Sequence, residues 1–260
     1  MTEQAYVPRL AVASDLTMGD LARALKAGWR DFLAYPLFGL FFAGLYVAGG
    51  VLLYVSLSAR DALAWLIPIT AGFPLLAPFI AAGLYEVSRR REAGERLSWG
   101  GVLGALRGHG DEQLLMMGGF VFVAFSFWII IAHGIFAIFL ADAAIEADPL
   151  GWLLSTNGLL MLAVGGAAGA LMAFALYSIT VISLPMLIDQ DVDFITAMIA
   201  SMKTVQANTF VMLVWAALMS VLLFLSMAPL FLGLLVVLPV LAHATWHLYR
   251  RAIPVAPAVA

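Results

Sequence analysis

Five stretches of this chain run for 23 residues or more without a charged side chain: Pro36–Ser58, Ala62–Tyr85, Leu114–Ala141, Gly158–Ile188 and Phe210–Trp246. A helix rises about 1.5 Å per residue, so about 20 residues cross a hydrocarbon layer of about 30 Å. Inside lipid the backbone must satisfy its own hydrogen bonds, which makes each run a helix. With 11% charged and 64% hydrophobic residues, the chain falls far below the roughly 25% charge of a soluble domain. The expected fold is therefore all-α, a polytopic membrane protein forming a single integral domain over residues 1–260.

The last run, at 37 residues, is nearly twice the length a single crossing needs. Pro229, following Ser226, Met227 and Ala228, is where it is expected to fold back, giving six transmembrane helices. The segment before Tyr35 is charged throughout and has no short apolar core with a small-residue cleavage site, so the first span is expected to act as the insertion signal. With six spans and the N-terminus inside, 12 of the 13 Lys and Arg residues fall on one side and Arg60 alone on the other. The positive-inside rule then predicts that both termini are cytoplasmic.

Each odd span is preceded by an amphipathic segment. Met18, Leu21, Leu25, Trp29 and Phe32 follow helical spacing, with Thr17 and Asp20 forming a capping box. Such a helix is expected to lie along the inner leaflet. Ser98 caps a shorter segment weakened by glycines, and Ile195, Met198, Met202 and Val205 repeat the pattern behind Asp189, Asp191 and Asp193, carboxylates that suit a helix N-terminus. Lys26, Arg107 and Lys203 occupy matching positions, and Pro78 and Pro239 stand at equal distances before Arg89–Arg90 and Arg250–Arg251. Two organisations fit: three parallel amphipathic-helix-plus-hairpin repeats, 17–91, 98–188 and 189–251, or six independent spans with basic anchors.

Several functions are excluded or disfavoured by what is missing. A net charge of −3 supplies no basic field for nucleic acid, and zero cysteines remove disulfides, iron–sulfur clusters and thiolate metal sites. No phosphate loop or nucleophile elbow is present, and no span interior holds Asp, Glu, Lys or Arg, so the usual relay of an ion-coupled carrier is absent. The longest polar segment, Glu86–Gln113, is only 28 residues, and no enzyme activity, metal or cofactor is expected.

His133, His243 and His247 are the weak candidates for binding a cofactor; His109 lies in a loop. His243 and His247, spaced i, i+4, share a helix face, which suits either a ligand pair or two polar side chains at the headgroup level. His133, within a span, is read as bonded to a neighbouring helix or, less favourably, as a ligand. Arg89, Arg90, Arg91, Arg250 and Arg251 are expected to anchor topology and contact lipid headgroups, and Pro74, Pro78, Pro185 and Pro239 to kink their helices. Gly165, Gly166 and Gly169 give a small-residue stripe for intramolecular packing.

The segment from Pro74 to Arg91, with Gly94–Trp99 and Ala242–Arg251, resembles an uncharacterised bacterial family of six-span integral membrane proteins, a domain of unknown function. The resemblance implies the bacterial inner membrane and no established activity. Some members carry the label cytochrome c oxidase subunit I. A catalytic haem–copper subunit needs six histidine ligands, whereas this chain has four histidines and half the usual twelve spans. The leading expectation is a non-catalytic accessory, assembly or membrane-organising factor, with membrane lipids and other membrane proteins such as a respiratory complex as partners. The alternatives are a permease or channel for a small or lipid-like solute and, behind it, haem or metal handling.

Overall fold

A computed structural model describes residues 11–59, 77–105, 111–140, 149–229 and 231–254. The described residues form eleven α-helices and no strand: α1 Met18–Ala34, α2 Pro36–Ser58, α3 Ala77–Glu92, α4 Trp99–Ala105, α5 Asp111–Leu140, α6 Pro149–Leu153, α7 Thr156–Thr180, α8 Ser183–Asp189, α9 Phe194–Ala207, α10 Thr209–Met227 and α11 Leu234–Ala252. Four stretches are long and apolar enough to cross a membrane: Pro36–Ser58, Glu112–Phe139, Thr156–Asp189 and Thr209–Met227. Most of the expected second span, with Pro68 and Pro74, lies outside the described residues, as do Arg60, His109 and Arg107. Pro78 is the second residue of α3.

The chain turns between α10 and α11, from Ala228 onward, and α11 packs beside α10. The break falls where Pro229 ends the helical hydrogen-bond ladder. α11 differs from the four long apolar helices: its last turns carry His243, Trp246, His247, Tyr249, Arg250 and Arg251, and it is among the most enclosed helices of the molecule. It packs against α1, α2, α3 and α10, with Trp246, Tyr249 and His243 almost wholly buried.

Local signals explain the helix ends. Asp20 N–H donates to Thr17 Oγ1 while Thr17 N–H donates to Asp20 Oδ2, the reciprocal box that starts α1. Ser98 Oγ accepts from Gly101 N–H at the start of α4, and Asp193 Oδ1 accepts from Thr196 N–H at the start of α9. Asp189 does not serve a helix N-terminus. It is the last residue of α8, and its carboxylate faces Tyr249 and Arg250 of α11.

The fourth expected span is interrupted at Val181–Ile182, one turn before Pro185. Proline has no N–H for the carbonyl four residues back and its ring crowds that carbonyl, here Val181, so the helix opens there. The Ile182 N–H is recovered by Ser201 Oγ of α9 at 3.1 Å.

α1 buries only part of the face its large apolar residues define. Asp20, Leu21, Ala24, Gly28, Asp31 and Phe32 are buried, whereas Met18 and Trp29 are exposed. The cause is close approach to α11: a Cβ at Gly28 would lie 2.5 Å from Ala244 N and 2.6 Å from Val240 O. Gly28 makes the close contact, Leu21 and Phe32 are buried on the same side, and Met18 and Trp29 point outward.

Candidate functional site: a polar cluster where α1, α3 and α11 meet

The Gly28–Ala244 crossing places Asp31, one turn further along α1, against the polar stretch of α11. Asp31 Oδ2 accepts from Ser88 Oγ of α3 at 2.6 Å and from His247 Nε2 of α11 at 2.9 Å, and Oδ1 accepts from Arg91 Nη1. Burial opposes ionisation of Asp31, but the hydrogen bonds from His247 and Ser88 outweigh it and hold its carboxyl below the usual range. Asp31 is a buried carboxylate with three donors from two other helices.

Ser88 has one proton, and the carboxylate claims it. His243 Nδ1, 2.7 Å from Ser88 Oγ, is then the donor of that contact, which assigns the proton of the neutral ring to Nδ1. His243 Nε2 is left as a buried acceptor with no partner among the described residues. A serine–histidine–aspartate set invites comparison with a hydrolase, but the order differs. Here Ser88 sits between the other two and is buried, so the histidine is not placed to draw a proton from a serine facing substrate.

Trp246, Tyr249, Arg250 and Arg251 of α11 each reach another element, whereas Thr245 Oγ1 donates to Leu241 O within the helix. Trp246 Nε1 donates to Glu92 of α3 at 3.0 Å, and Arg250 pairs with Glu92 and Asp189 at 3.1 and 3.0 Å. Tyr249 O–H donates to Asp189 at 2.7 Å and accepts from Gln190. Arg251 bonds Asp20 within α1 and Asp15 before it. Burial raises the Asp20 carboxyl, but the hydrogen bonds from Thr17 and Arg23 and the Arg251 charge win and hold it at about 2.

The arginine triplet is engaged in the same way. Arg89 and Arg90 both bond Glu86, and Arg89 also reaches Glu95. Arg89, Arg90, Arg91, Arg250 and Arg251, singled out as lipid-contact anchors, therefore all hold carboxylates of this chain.

Of the histidines, His243 and His247 converge on Asp31, one through Ser88 and one directly. His133 is exposed on α5 and stands outside the cluster. Among the described residues no group of three His, Asp or Glu side chains has an arrangement that could hold a metal ion. Pro239 lies inside α11, four residues before His243, and is buried.

Apart from this charged end, α5, α7 and α10 frame an apolar groove of about 530 Å³ lined by Trp128, Ile135, Phe136, Gly169 and Phe224 among others. Gly169 lets the Trp128 indole lie against α7: a Cβ there would be 2.8 Å from the ring.

Sequence reasoning overlooked Asp31, Ser88, Glu92 and Asp189 as partners. Asp31 was hidden because a charge on an amphipathic helix reads as solvent-facing. The available signal was the spacing Gly28-x-x-Asp31, a close-packing residue one turn before a carboxylate.

Residues 66–189 match the model of a family described as a predicted integral membrane protein of unknown function, DUF2189. The likeness to an uncharacterised integral membrane family is thus shown over that segment, and the description names no oxidase subunit. No curated protein and no solved structure matches the chain.

Proposed function

We propose that this integral membrane protein is a non-catalytic accessory factor of the bacterial inner membrane, one that assists the assembly or organisation of other membrane proteins. In this reading six spans form three hairpins of like orientation, each introduced by an amphipathic helix, with both termini and the charged cluster on the cytoplasmic side. The order α1–α2, α4–α5 and α9–α10, a shorter helix followed each time by a long apolar one, supports it.

The observation that carries the proposal is the division of labour between the two parts of the molecule. The polar side chains of α11 are taken up by partners on α1, α3 and α8, whereas the long apolar helices present large side chains outward, among them Phe122, Phe127 and Ile130 on α5 and Leu171 on α7. Partners that recognise such a surface are apolar helices and lipids, and a multi-subunit respiratory complex is the expected class. Gentle solubilisation from the native membrane, followed by mass spectrometry of what co-purifies, tests this. A reproducible membrane-protein partner is the expected result; isolation of the protein alone in every detergent would overturn it.

The groove between α5, α7 and α10 favours a second reading, a carrier for a lipid-like solute. Flux across liposomes containing the purified protein separates the two. Haem handling draws least support, because His243 is wholly enclosed and its Nδ1 is committed to Ser88.

A further inference from the structure

We infer that the end of α1 is a binding surface for anionic phospholipid headgroups, with Lys26 and Arg30 as its cations; this rests on the membrane location but not on any protein partner. The arginines of α3 and α11 that the sequence points to are neutralised by carboxylates of the chain itself. Lys26 and Arg30 are exposed and pair with no carboxylate among the described residues.

Their surroundings supply the rest of the surface. Trp29 and Leu33, on the last turns of α1, are 45% and 58% exposed. Only Tyr35 separates α1 from α2, and Leu37, at the start of that long apolar helix, is 69% exposed. An apolar surface therefore continues from the cation-bearing turns onto a membrane-crossing helix. Where a span meets water, an indole sits at headgroup depth and nearby cations meet phosphate. The acyl chains of the same lipid lie along α2. Zwitterionic lipid satisfies the apolar part but returns no net charge to Lys26 and Arg30, so the surface selects anionic over zwitterionic headgroups. The outward rotation of Trp29, forced by the Gly28–Ala244 contact, is what builds the site.

The full-length protein in vesicles of phosphatidylcholine with phosphatidylglycerol is the test, with brominated forms of each lipid quenching tryptophan fluorescence and Trp29→Phe identifying the contribution of Trp29. The wild type is expected to prefer phosphatidylglycerol near Trp29, less so in 0.5 M salt. Each of Lys26→Gln and Arg30→Gln should lower the preference roughly five-fold. Arg96→Gln, which removes an exposed cation elsewhere, should leave it unchanged. A preference that survives the Lys26→Gln/Arg30→Gln double variant, that falls equally in Arg96→Gln, or that ignores salt would overturn the assignment. Failure to find a protein partner would leave these outcomes untouched, so the two proposals fail separately.

Discussion

Asp31 and His247 stand 216 positions apart in the chain, yet their side chains meet at 2.9 Å between α1 and α11. The contact ties a helix near the start of the sequence to one near its end, and Ser88 and Arg91 bring in a third from between them. A buried carboxylate is costly unless donors surround it, so the arrangement specifies how the three helices dock as much as it stabilises them. The consequences can be measured in detergent or in lipid.

The Gly28 crossing is intolerant of added volume. Gly28→Ala pushes a methyl group into the Ala244 backbone, which is unable to rotate away, and is expected to cost about 1–3 kcal/mol and to lower the thermal midpoint. Gly166→Ala, where a Cβ meets nothing within 4 Å, is expected to be neutral or to stabilise α7 by up to about 1 kcal/mol. Parallel melts of the two variants decide whether close helix approach or general glycine content matters.

The break in the fourth apolar stretch couples Pro185 to Ser201. Ser201→Ala leaves the buried Ile182 N–H without its acceptor and is expected to destabilise by about 1–3 kcal/mol. In a Pro185→Ala background the helix can close across 181–182, and the same change should cost less. Equal costs in both backgrounds would show that the proline does not open the ladder.

Acid should loosen the charged end before the apolar helices. Asp20, Asp31 and Asp193 have carboxyls lowered in the folded protein; at Asp193 the hydrogen bonds from Thr196 are the leading cause. A lowered folded value means the stabilisation is complete above the unfolded carboxylate range and is lost as pH falls through the folded value. The share of the thermal midpoint that Asp20 supplies, read as the difference between wild type and Asp20→Asn, is therefore expected to hold from neutrality to about pH 4.5 and to vanish between about pH 4 and 2. A difference that closes already near pH 6 would contradict this role for Asp20.

Helix starts and the helix break near Pro229 were legible in the sequence because they depend on neighbours three or four residues away. Thr17 with Asp20, Ser98 and Asp193 act on their own first turns. The buried face of α1 was legible only in part, since apolar periodicity includes the buried Leu21 and Phe32 but also the exposed Trp29, while the close contact is made by Gly28. The carboxylate partners of Arg89–Arg91 and Arg250–Arg251 were not legible for a related reason: counting charge says on which side such residues gather, but their partners are apparent only once α1, α3, α8 and α11 are packed. Asp189 shows the same limit, ending α8 and serving α11 across space.

The docking of α1 on α11 through Asp31 is tested most directly by a double-mutant cycle of Asp31→Asn and His247→Leu, read as unfolding free energy in mixed micelles. Groups in direct contact are expected to couple, by at least about 1 kcal/mol, so that the double variant loses less than the two single losses combined. Additivity within about 0.3–0.5 kcal/mol would mean the two side chains do not interact, and would contradict the polar cluster on which this account is built.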